Sequence, residues 1–109
     1  MWAAHCLRLD SNQALHHCGG MGAMGFALPT AIGISAVSTG KTVVLTGDGS
    51  LQVNIQELDT LARLSENILI IVFNNRSLGM VKNFHDTYFE RRNILTKYTF
   101  LFLYFWKYD

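Results

Sequence analysis

TVVLTGDGSLQVNIQELDTLARLSENILIIVFNN, residues 42 to 75, decides how this chain folds. It opens on a β-branched run, residues 42 to 46, that is apolar at its centre, the pattern of a strand buried in a parallel sheet. Gly47-Asp48-Gly49-Ser50 breaks that run. Behind it Leu51, Ile55, Leu58, Leu61 and Ala62 recur at helical spacing and predict an amphipathic helix over residues 51 to 64. Residues 68 to 73, ILIIVF, read as a second buried strand, ended by Asn74-Asn75. A β-hairpin is the alternative, because Asp-Gly between apolar runs is a favoured turn and Leu51, Val53 and Ile55 alternate. Carrying a strand on through Gln56, Glu57, Asp59 and Arg63 destroys the alternation, whereas a helix absorbs it. Strand–helix–strand is therefore favoured, with two neighbouring parallel strands and a right-handed crossover. The fold class is α/β, a partial parallel sheet with helices on both faces.

Towards the N-terminus, residues 27 to 38 predict a small-residue helix with Pro29 in its first turn, ended by Thr39-Gly40. Residues 19 to 25 are glycine-rich, and residues 1 to 18 have the mixed character of a connection or the end of an element. Gly20-x-Gly22-x-x-Gly25 has the spacing of a dinucleotide-binding loop, which needs a preceding strand and an acidic residue about 20 positions on. Residues 10 to 18, DSNQALHHC, make a poor strand, and no Asp or Glu lies between Asp10 and Asp48. The dinucleotide alternative fails on both counts. A phosphate loop at Gly40-Lys41-Thr42 fails as well: it needs a glycine where Ser35 stands, and a strand before it rather than after.

With 109 residues the chain has room for one domain with a modest core. Half is apolar and 16% is charged, a composition that folds. A net charge of +1 gives no electrostatic footprint for nucleic acid or an anionic membrane. Cys6 and Cys18 occur without a secretory signal after Met1 and are expected to be reduced, in the cytoplasm. Cys6-x9-His16-His17-Cys18 matches no zinc spacing. Residues 98 to 108, YTFLFLYFWKY, are densely aromatic but too short to span a membrane.

A site is expected at the strand ends. Adjacent parallel strands finish together, which puts Asp48 and Asn75 at the carboxyl edge, where open α/β sheets bind ligands. A carboxylate, an amide oxygen and a backbone carbonyl are hard ligands suited to Mg2+ with phosphate oxygens completing its shell. Gly49 and Ser50 are expected to open the helix and turn its free N–H groups towards a phosphate. The bland alternative is that Asp-Gly is only a turn and Asn-Asn only a loop.

Gly47-Asp48-Gly49, then 24 residues, then Asn74-Asn75 resembles the signature of thiamine diphosphate-dependent enzymes. GGMGAMGFALPTAIG, GDGSLQVNIQEL and NNRSLGMV are similar to the C-terminal cofactor-binding domain of the acetolactate synthase-like family, over about residues 2 to 93. The resemblance implies that Asp48, the Asn75 side chain and the Ser77 carbonyl hold Mg2+. It implies backbone N–H groups of Gly49, Ser50 and Met80 on the diphosphate, and a Gly22 carbonyl that accepts from the cofactor's 4′-amino group. Met24 would be an apolar wedge beneath thiamine diphosphate that bends its two rings into a V; its alternative is a core methionine.

The function so implied is that of a fragment of a carboligase or lyase acting on 2-keto acids. The alternatives are another branch (a 2-keto acid decarboxylase, an oxidase or a polysaccharide-precursor synthase) or a non-catalytic remnant. In the family a glutamate from the N-terminal pyrimidine-binding domain of a partner subunit activates the cofactor, within a homo-oligomer. Glu57, Glu66 and Glu90 all follow the metal aspartate and none matches that position, so no catalytic residue is assigned and the chain alone is expected to be inactive. Val81 after Met80 agrees with the carboligase branch, while Phe84 stands where many acetolactate synthases carry tryptophan. Residues 1 to 93 are thus expected to be part of the cofactor domain, and residues 94 to 109 an atypical aromatic tail arising by truncation or frameshift.

Overall fold

A computed structural model describes residues 2–64 and 67–97. The elements run α1 (Trp2–Cys6), α2 (Ala27–Val37), β1 (Thr42–Gly47), α3 (Asp48–Val53), α4 (Glu57–Leu64), β2 (Ile68–Phe73) and α5 (Gly79–Tyr88). The aromatic run over residues 98 to 108 lies outside the described residues. The described residues fall into two compact units, one up to Phe73 and the other from Asn74 onward.

In the first unit β1 and β2 pair in parallel, from Thr42 opposite Ile68 to Gly47 opposite Phe73. The α/β class and the strand–helix–strand order are as the sequence implies. Parallel neighbours need a crossover long enough to return the chain, and α3 and α4 supply it. The hairpin alternative is excluded by the parallel register.

Two local features differ from expectation. Asp48 lies within a helix rather than in a break before one, and the single helix expected over residues 51 to 64 is two. The first of these begins at Asp48, three residues earlier than expected, with Gly47 in extended conformation as its N-cap. It ends at Asn54, whose backbone (φ −127°, ψ 39°) leaves the helical region. Bonds from Glu57 N–H to Asn54 O, Leu58 N–H to Ile55 O and Asp59 N–H to Gln56 O then restart the winding in short turns.

Among the described residues the buried apolar side chains are Leu28, Ala31, Val44 and Leu51, contributed by α2, β1 and α3. Register places Val44 with Ile70 and Thr46 with Val72 on one sheet face, where Val44 and Thr46 are buried. The other face carries Val43, Leu69 and Phe73, exposed by 54%, 59% and 61%. ILIIVF is apolar on both sides, as a doubly covered strand should be, yet in this chain one side of it meets solvent.

In the second unit, Ser77 and Lys97 form an isolated antiparallel bridge at the foot of α5. Leu78 N–H and Ser77 Oγ both donate to Thr96 O, at 2.9 and 2.8 Å. On α5, Lys82 pairs with Asp86, and Asn93 Nδ2 donates to the other Asp86 oxygen at 2.7 Å. Those two donors hold the Asp86 carboxyl below the usual carboxylate range, the Lys82 bond first and the Asn93 bond second.

Candidate functional site

Gly47 and Phe73 are register partners, so β1 and β2 end level and Asp48 starts α3 at the carboxyl end of the sheet. Asp48 is 2% exposed, and its Oδ2 is buried with no hydrogen-bond partner. A carboxylate held dry without a donor or a cation is unfavourable, so this oxygen is prepared for a ligand that the protein's own groups do not supply. A hard divalent cation answers that need. Among the described residues no group of three or more His, Cys, Asp or Glu side chains could hold a metal. Such a cation would therefore depend on amide and carbonyl oxygens besides Asp48.

The glycine loop reaches the same helix. Residues 13 to 18 before it carry no regular secondary structure. Gly22 N–H donates to Cys18 O at 2.7 Å, and Cys18 Sγ bonds Ala23 O at 3.2 Å, closing a tight turn in which Gly22 has φ +68°. Gly25 (φ +83°) is buried against α3: its N–H donates to Ser50 Oγ at 2.9 Å, and its carbonyl accepts from Asn54 Nδ2 at 2.8 Å. Met24, next to it, is 46% exposed and so is not a core side chain. Gly22, Met24, Asp48, Gly49 and Ser50 thus belong to one unit, and Gly25 ties the loop that carries Gly22 and Met24 to Ser50 of α3.

Asn75, Ser77 and Met80 belong to the second unit. Asn74 Oδ1 accepts from Arg76 N–H at 3.2 Å and Asn75 Oδ1 from Ser77 N–H at 3.0 Å, two successive side-chain turns. The amide oxygen of Asn75 keeps a second lone pair. Met80 lies in the first turn of α5, whose N–H groups have no intrahelical acceptor.

Sequence reading did not single out Asn54 or Thr96. The signal for Asn54 was a polar side chain four residues after Ser50, at the spacing that puts both on one helix face. Thr96 left no such signal, since it acts through its backbone carbonyl.

Residues 1–106 match a family described as the thiamine pyrophosphate enzyme, C-terminal TPP binding domain. The chain belongs to this family. It is 43% identical over 94 residues to the acetolactate synthase isozyme 3 large subunit of Escherichia coli K12. It is 49% identical over 94 residues to the acetolactate synthase large subunit of Buchnera aphidicola subsp. Schlechtendalia chinensis. A probable acetolactate synthase large subunit of Methanococcus aeolicus is 38% identical over 93 residues. These alignments cover 84 to 85% of this chain but 16% of each relative. The chain is thus a thiamine pyrophosphate-binding domain sequence that spans a small part of the length of those relatives. Among its described residues no helix is long and apolar enough to cross a membrane.

Proposed function

We propose that this chain is the thiamine diphosphate- and Mg2+-binding part of an acetolactate synthase-like carboligase that acts on 2-keto acids. The observation that carries the proposal is the buried, unpartnered Oδ2 of Asp48 at the level ends of two parallel strands. In this reading Asp48, Asn75 Oδ1 and the Ser77 carbonyl hold Mg2+, and backbone N–H groups of Gly49, Ser50 and Met80 receive the diphosphate. Gly22 offers its carbonyl to the 4′-amino group and Met24 its thioether chain to the rings; the exposure of Met24 supports this over a core role. The cofactor-binding residues lie within 1–93. When bound, thiamine diphosphate supplies an electron sink for decarboxylating a 2-keto acid.

What this chain contributes is binding and orientation. The base-activating glutamate, the second ring-binding wall and the closed substrate site belong to an N-terminal pyrimidine-binding domain of a partner subunit, within a cytoplasmic homo-oligomer. Val81 beside Met80 supports the carboligase branch of transferases and lyases.

Calorimetry of thiamine diphosphate with Mg2+ tests the proposal. Asp48→Ala removes the single charged ligand and should abolish Mg2+-dependent binding. An affinity unchanged by Asp48→Ala overturns it.

A further inference from the structure

We propose that Ser50 and Asn54 are positioning residues that hold the loop segment 22–25 against α3, so that one helix sets both ends of the cofactor grip. The inference rests on the reading above that Gly22 and Met24 meet the cofactor's rings while Gly49 and Ser50 meet its diphosphate.

Ser50 and Asn54 stand four residues apart and so on one face of the helical winding. Between them they satisfy both backbone polar groups of Gly25, one side chain accepting from its N–H and the other donating to its carbonyl. Gly25 lies 25 and 29 residues away in sequence, so this is a tertiary clamp rather than local turn chemistry. The fit is close: a Cβ at Gly25 would come within 2.7 Å of Asn54 Nδ2 and 2.8 Å of Val53 Cγ1. α3 also ends at Asn54, as the chain turns out of helical conformation. Met24 is bonded directly to the clamped peptide, so its distance from Asp48 and Ser50 is set by α3 and not by the freedom of a glycine-rich loop.

Two probes separate this role from general damage to the fold. Inorganic pyrophosphate with Mg2+ engages only the diphosphate end; thiamine diphosphate with Mg2+ also engages the loop. In the full 109-residue chain, Asn54→Ala and Ser50→Ala should each weaken thiamine diphosphate roughly tenfold, the worth of one hydrogen bond. Pyrophosphate affinity of Asn54→Ala should stay within about twofold, and Ser50→Thr, which keeps the hydroxyl, should restore ring-dependent affinity. Equal losses of Asn54→Ala for both probes, or no loss for thiamine diphosphate, overturn the proposal. Should the unsubstituted chain bind neither probe, the cofactor reading fails, and amide exchange at Gly25 still decides the clamp. Faster exchange in Ser50→Ala and Asn54→Asp supports it; exchange as slow as in the parent chain overturns it.

Discussion

Asn54 Nδ2 donates to the Gly25 carbonyl across 2.8 Å, tying the end of α3 to a loop residue that no regular element holds. The contact leaves no space for a side chain at position 25, and the backbone there sits at φ +83°. Gly25→Ala should therefore destabilise the chain by about 2–4 kcal/mol, combining left-handed strain with overpacking against Val53 and Asn54. Urea unfolding followed by circular dichroism measures it, and a loss below about 0.5 kcal/mol would show that the loop simply moves away.

Asp48 should trade stability for binding. Its Oδ2 is buried without a partner, so Asp48→Asn removes a carboxylate oxygen that finds no donor in the protein. In metal-free buffer with a chelator, this variant should unfold at the same temperature as the parent or higher, with a gain of up to about 1 kcal/mol. Adding Mg2+ and thiamine diphosphate should raise the midpoint of the parent chain and leave the variant unmoved. A variant less stable than the parent without ligand would mean that Asp48 is a structural group.

Acid should loosen α5 only below the ordinary carboxylate range, where Asp86 takes up its proton. Asp86 is held below its usual range by Lys82 and Asn93, so its folded pKa lies below its unfolded one. Its contribution is then complete above about pH 4 and is lost as pH falls through the depressed folded value. Chemical shifts of the residue 82, 86 and 93 side chains, followed from pH 6 down to 2, should move together. Asp86→Asn should remove that acid transition, and its persistence would assign it to another group.

The chain end should matter at one place. Ending it after Asn93 deletes Thr96, whose carbonyl accepts from both Leu78 N–H and Ser77 Oγ. Ending it after Lys97 keeps both bonds. Amide exchange at Leu78 should accelerate at least tenfold in the shorter form and change little in the longer one, which should also be as soluble as the full chain or more so. Equal exchange in the two forms would show that the Ser77–Lys97 bridge holds nothing in place.

The isolated chain should not turn over substrate. Glu57, Glu66 and Glu90 all follow Asp48 in sequence, and a cofactor walled on one side stays open to water. Incubation with pyruvate, Mg2+ and thiamine diphosphate should yield acetolactate and acetaldehyde only at the protein-free rate. Turnover above that rate, lost in Asp48→Ala, would require a base within this chain.

The strand–helix–strand order was legible in the sequence because its causes are local. β-branched runs favour pleated backbone, and apolar residues at helical spacing cannot form one face of a strand. The level strand ends followed from that order, and with them the placement of Asp48 at the carboxyl edge. The Gly-Asp-Gly and Asn-Asn pair was equally visible, as oxygen-bearing residues directly after each of the two strands. The break in the crossover helix was not. Residues 51 to 64 keep helical periodicity throughout, and the acceptor of Asn54 Nδ2, the Gly25 carbonyl, arrives from 29 residues away. Nor could the sequence tell which side of ILIIVF is covered, because both sides are apolar and only the strand register and the packing of α2 single out the Val44 face. Local propensity and donor chemistry are written residue by residue. Coverage and clamping depend on which distant segment arrives, and that is decided when the chain folds.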